Sequence, residues 1–462
     1  MFLRRIVIPL WICFSLLAGS PSFARQNAAP AQPKVSPAES REEFLKTADE
    51  VLQDMSELLS LAAISPLKKT VRSRQEIRAF IVRQMKEDKN EAERYAAQRT
   101  MEKLGLLPKD FPLESFLVEL LTEQIAGLYD PKAHEFYIAD WNSAADQKMV
   151  MAHELAHALM DQHFQIDKWE QAAKPNDDGE FARSAVLEGT ALAAMVDYML
   201  RATGRGIREA PGIDPELFIG DPMTSPVFAK APMFLQDSLL FPYVAGLSFT
   251  QQFLRANLGW GNLHKLFERP PASTQQILHS ELYLNSTVPE QVRLPDFKNI
   301  VPQGWTKLDE NVLGEFGVSE VLKQFLGKGR APKLAQAWSG DRYAIFEQTR
   351  SKTLLLIALI HFQSAGDAAR FFDGYSEALE LKYPSRRGLF RGSNYVSFDT
   401  NDGGVFLRCT GNQCVSLEGA GEDVFGKLTR SLSWAPVPGK KLEATPPKRT
   451  ASQPARNLHG SS

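Results

Sequence analysis

Apolar residues recur at three- and four-residue steps through most of the first 270 positions, which is the spacing of one buried helix face. Phe44, Leu45, Val51, Leu52, Met55, Leu58 and Leu59 open the pattern, and it predicts helical structure over 39–105. Pro66 separates a second helical stretch at 74–104, and a third runs over 113–128 after Pro108 and Pro112. Asp130-Pro131 marks a turn. Phe136 and Ile138 then share one face of a short predicted strand, 134–139. Helices follow at 147–164 and 180–200, ended by Gly204 and Gly206. A Pro-rich stretch, 211–232, reads as loop, and helical spacing returns at 243–258 and 262–267. Beyond about residue 330 the pattern changes to short strands at 343–346, 354–362, 395–398, 405–408 and 415–417, with helices at 367–381 and 423–432. The expected fold class is α+β: a helix-rich unit over 39–330 and a smaller α+β unit over 331–435 with a largely antiparallel sheet.

The two ends differ from this body. Arg4 and Arg5 precede an apolar run from Ile6 to Leu17, and Ser22-Phe23-Ala24 has the small-x-small form of a cleavage site. Residues 1–24 are therefore expected to be a secretory signal, cut after Ala24, and the mature protein to be periplasmic or secreted. The alternative is an uncleaved N-terminal anchor. The apolar run is short for a membrane span, which takes about 20 residues. Residues 25–38, rich in Ala, Pro and Gln, are expected to be a flexible linker. Residues 436–462 are Pro-rich and basic, without apolar periodicity, and are expected to be a disordered tail.

Composition sharpens this. The chain has 462 residues and a formal net charge of −2. That near-balance joins unlike parts: the signal carries +2, the tail +4 and residues 25–435 carry −8. No basic surplus marks the folded body, so nucleic acid is not an expected partner. Of the three cysteines, Cys13 leaves with the signal. Cys409 and Cys414 flank a turn-like Thr-Gly-Asn-Gln segment and are expected to pair as a disulfide in an oxidising compartment.

The chemistry-bearing string is His153-Glu154-Leu155-Ala156-His157. On a helix, positions i and i+4 lie about 40° apart on one face, so both imidazoles can reach one metal ion. Glu154 is turned by about 100° from His153, beside the ion, where a general base for water belongs. With only eight His in the chain, a chance occurrence is on the order of one per cent. A catalytic zinc takes three protein ligands and keeps one position open. His163 stands at the third-His spacing of another zinc motif, but Met160 replaces the helix-breaking glycine that motif requires. The better third ligand is Glu188, in Ala-Val-Leu-Glu-Gly-Thr-Ala on the next predicted helix, where small neighbours permit close approach. Asp161 lies on the same stripe as the two histidines, either orienting one of them or as a plain surface acid. His279 is a weaker candidate for a second oxyanion donor, and His361 reads as structural.

His-Glu-Leu-Ala-His followed by a Glu-Gly-Thr-Ala helix resembles the gluzincins, zinc peptidases that hold the ion with two His and one Glu. Tyr243-Val-Ala-Gly-Leu-Ser-Phe is similar to their Y-x-x-G stretch. The resemblance is local, covering roughly 120–270. It implies a zincin-like catalytic domain, a Zn2+ ion held by His153, His157 and Glu188, Glu154 as general base and Tyr243 holding the oxyanion. It further implies that strand 134–139 pairs with an extended substrate. The segments by which aminopeptidases recognise the N-terminal amine are not recognisable here. The expected function is an exported zinc-dependent peptidase, an endopeptidase, acting on a peptide or protein substrate. The alternatives are a non-catalytic zinc-binding interaction module on the same scaffold, and a zinc hydrolase acting on a non-peptide amide. The N-terminal helices are candidates for a lid, and the C-terminal unit for substrate binding or autoinhibition.

Overall fold

A computed structural model describes residues 11–14, 37–87, 91–141, 144–211 and 225–432. The expected linker up to residue 36 and the basic tail lie outside these residues, as does most of the expected signal. Its described part, β1 (Trp11–Phe14), is a strand. The described chain is α+β, in line with the expected class, with two sheets. Among the described residues no helix is long and apolar enough to cross a membrane.

The N-terminal unit opens with α1 (Pro37–Leu59), whose Phe44, Val51, Met55 and Leu59 are buried at the predicted helical steps. β2 (Lys68–Arg72), α2 (Arg74–Glu87), α3 (Glu91–Leu104) and α4 (Leu113–Gln124) follow. The third helical pattern stops earlier than the spacing predicts. Ile125 begins β3 (Ile125–Asp130), which turns back antiparallel into β4 (Glu135–Ala139). Ile125 and Leu128 are buried, and such a short apolar run fits either period. β2 pairs in parallel with β4, so the four-stranded order is β1-β3-β4-β2. This corrects the expectation that strand 134–139 is an edge open to substrate: β4 is interior, and all five of its residues are buried.

Three long helices form the centre of this unit: α5 (Ala144–Phe164), α6 (Asp177–Leu200) and α7 (Met233–Ala256). Asn176 caps α6 by accepting a hydrogen bond from the Gly179 N–H, and Asp177, Asp178 and Glu180 place acid in its first turn, where the helix dipole favours it. α7 starts ten residues before the predicted 243, with Pro242 inside it. α1 packs against α5 and α6 and forms part of the wall around the central helices.

The second unit is a seven-stranded sheet ordered β5-β6-β7-β11-β10-β9-β8, antiparallel throughout. Its strands are β5 (Trp305–Asn311), β6 (Trp338–Gln348), β7 (Leu354–Phe362), β8 (Arg387–Arg391), β9 (Tyr395–Thr400), β10 (Gly403–Thr410) and β11 (Gln413–Ala420). β7 is a continuous apolar run because both its faces are covered. Leu356, Ala358 and Ile360 join the large core with Phe371 and Phe372 of α9 (Ala365–Lys382), which follows α8 (Gly314–Leu326). Leu355, Ile357 and Leu359 join a second core with Val424, Phe425 and Leu428 of α10 (Glu422–Ser431). The sheet begins with β5 (Trp305–Asn311), so residue 331, the expected boundary, falls within the span of this sheet. Cys409 and Cys414 are register partners on β10 and β11 and form the expected disulfide, with Cα atoms 4.1 Å apart.

Candidate metal centre

The two predicted helices cross so that their chemistry-bearing faces meet. Nε2 of His153 and Nε2 of His157 lie 3.1 Å apart on α5. Oε2 of Glu188, on α6, is 3.2 Å from the first and 3.5 Å from the second. The imidazole planes stand at 75° to one another. His153 and His157 are fully buried, and Glu188 is 6% exposed. Burial pushes the Glu188 carboxyl up, but the two imidazoles beside it outweigh that and hold it at about 2.

Three potential electron-pair donors converging on one buried point can share a cation, which compensates the cost of burying them. Two imidazoles and a carboxylate are the donor set zinc takes in catalytic sites. His153, His157 and Glu188 form the one convergent group of three such ligands among the described residues. The residues fit a zinc ion. Nδ1 of His153 is buried with no hydrogen-bond partner.

Glycines set the approach of α7. A Cβ on Gly189 would lie 2.1 Å from the carbonyl carbon of Gly246, and one on Gly246 would lie 2.2 Å from the Ala185 oxygen. α6 and α7 thus touch backbone to backbone, one residue beyond Glu188 and three beyond Tyr243. This crossing brings the Tyr243 ring to 6.1 Å from the His153 ring, nearly parallel to it at 27°. Tyr243 is 5% exposed, and Glu154, next to His153 on α5, is fully buried.

The other candidates are placed elsewhere. Asp161 accepts from the Tyr129 hydroxyl at 2.7 Å, from the Ile166 N–H at 3.1 Å, and lies 2.9 Å from Nδ1 of His134. It ties the β3–β4 turn to the end of α5 and orients neither His153 nor His157 through these bonds. Nε2 of His163 is 2.8 Å from the Ala62 carbonyl, anchoring the chain after α1. His279 pairs with Glu315 at 2.9 Å, where α8 begins. His361, on β7, lies 2.9 Å from Glu290. The His134–Asp161 pair and the Gly246 contact escaped sequence reading. The second had a signal in Tyr243-Val-Ala-Gly, the first had none.

Residues 302–428 match a family model described as a domain of unknown function, DUF8575. The match coincides with the seven-stranded unit and does not reach the convergent histidines. No curated protein and no solved structure matches the chain.

Proposed function

We propose that this protein is an exported zinc-dependent peptidase of the gluzincin type, with a zincin-like catalytic domain. The observation that carries the reading is the convergence of His153, His157 and Glu188 from two separate helices on one buried point. When bound, zinc supplies Lewis-acid activation of water and of the scissile carbonyl. His153, His157 and Glu188 hold it in place. The Glu154 carboxylate accepts the proton that the attacking water gives up and delivers it to the leaving nitrogen. The Tyr243 hydroxyl donates to the oxyanion that develops on the carbonyl. In a chain that has lost residues 1–24, the outer edge of β3, which packs on α5, takes an extended substrate in place of β1. None of the five residues is more than 6% exposed, so substrate entry requires α5, α6 and their covering elements to part. The C-terminal unit is a substrate-binding or autoinhibitory module.

The second reading, a non-catalytic zinc-binding module, is favoured by that burial. Against it, structural zinc sites use four protein ligands, and three converge here. Metal analysis of the purified protein separates these readings, combined with hydrolysis of a peptide library before chelation, after it and after zinc is restored. One zinc per chain with chelator-sensitive cleavage supports the peptidase. One zinc without cleavage supports the module, and no zinc defeats both.

A further inference from the structure

A cleft of about 650 Å3 lies where the two units meet, within the usual size range of small-ligand sites. Asp178 from the first turn of α6 and Asp341 from β6 are both on its lining, 1% and 3% exposed. Glu290, Glu310, Arg293 and Arg342 complete its charged wall, so four carboxylates face two guanidiniums. Glu310 already engages Arg342 at 3.2 Å and Lys307 at 2.7 Å.

The two floor acids are not equivalent. Asp341 is saturated by donors: the Leu313 and Gly314 N–H groups and the Trp338 indole N–H, each at 2.9 Å. It caps the start of α8. Asp178 uses one oxygen only. Its Oδ1 accepts the Thr274 N–H at 3.1 Å and the Thr274 hydroxyl at 2.5 Å, while Oδ2 is buried without a partner. A half-satisfied buried carboxylate is costly, and a structural cap would gain nothing from it. Burial, with Asp341 close by, pushes the Asp178 carboxyl up to about 8, the behaviour of an acid lacking its counter-charge. Among the described residues no third ligating side chain converges there, and Asp341 has little capacity left, so they do not supply the oxygen-rich shell a divalent metal needs.

We propose that this cleft binds a guanidinium or primary ammonium group, with Asp178 as its principal anion and Glu290 at its rim. One cationic head satisfies the free oxygen of Asp178 by a charge-assisted hydrogen bond. The cation comes either from a separate basic ligand or from the chain's own tail, where Lys440, Lys441, Lys448, Arg449 and Arg456 lie.

The test uses the full-length protein and N-acetyl-arginine amide, with N-acetyl-citrulline amide as its uncharged isostere, in titrations followed by calorimetry. The arginine compound is expected to bind at least tenfold tighter than the citrulline compound. Asp178→Asn keeps the Thr274 bonds and is expected to abolish that preference. Glu290→Gln, at the half-exposed rim, is expected to weaken it several-fold without affecting folding. In a full-length variant with the five tail cations changed to Gln, tighter probe binding identifies the tail as the resident cation. Unchanged binding there identifies an outside ligand. Equal binding of the two compounds, or full binding by Asp178→Asn, overturns the proposal.

Discussion

The glycine crossing of α6 and α7 gives a sharp handle on the candidate metal site. In Gly246→Ala the new methyl would sit 2.2 Å from the Ala185 carbonyl oxygen. Ordinary contact between these atoms is about 3.3 Å, so the helices must separate by about 1 Å. The obstacle is backbone, which no rotamer change relieves. Overpacking of this kind costs about 3 kcal/mol at the upper end of its usual range. Alanine returns about 1 kcal/mol through its better helix propensity. The net loss is about 2 kcal/mol, a fall of roughly 4–8 °C in Tm for a unit of this size. The same movement draws Glu188 and Tyr243 from the histidines on α5, so zinc affinity falls along with stability. Differential scanning calorimetry on metal-free protein reads the first effect, and competition against a fluorescent zinc chelator reads the second. Gly261→Ala is the control, because a Cβ there meets nothing within 4 Å. If Gly246→Ala matches the control in both Tm and zinc affinity, the close crossing does not position the site.

Three further outcomes follow from the packing and the buried charges. Because the ligands are buried, loss of zinc to a chelator is expected to be limited by opening, with a rate that levels off as chelator concentration rises; a rate proportional to chelator throughout would mean an open site. Burial holds the carboxyls of Asp341, Glu320 and Asp178 up, to about 6, 7 and 8, and Glu315 holds His279 above its usual value. Between pH 5.5 and 8 the folded chain therefore binds more protons than the unfolded one, and stability falls as pH rises; a metal-free Tm that climbs from pH 5.5 to 8 would contradict this. Reduction of Cys409–Cys414 opens a very short loop and is expected to cost about 2 kcal/mol, seen as a lower denaturant midpoint; no change in midpoint would mean the bond leaves the unfolded chain unconstrained.

Much of the site was legible because its signals are local. Two histidines four apart on a Pro-free helix, and a glutamate among small residues on the next, require only helical geometry to be placed. The structure does bring these three side chains together. Strands were harder to read. Lys68–Arg72 and Arg387–Arg391 are short, polar edge strands, and Trp305–Asn311 alternates weakly, so their pairing comes from neighbours far along the chain. The resemblance implied an edge at β4, which β2 covers by pairing with it, and β5 lies before the expected boundary at 331. Leu113 to Leu128 kept helical spacing past the true end of α4, since leucine at that spacing suits a buried strand as well. The cleft at Asp178 depends on contacts across about 160 residues, which no local pattern records.

In the proposed mechanism Glu154 works as the general base beside a zinc ion held by His153, His157 and Glu188. The most direct measurement compares kcat/KM for peptide hydrolysis by the wild-type protein and Glu154→Gln, each carrying one zinc per chain. Loss of a general base typically costs a factor of about 10² to 10⁴, so the variant should keep its zinc and fall by at least a hundredfold. A zinc-loaded Glu154→Gln that retains full chelator-sensitive activity would exclude Glu154 as the general base.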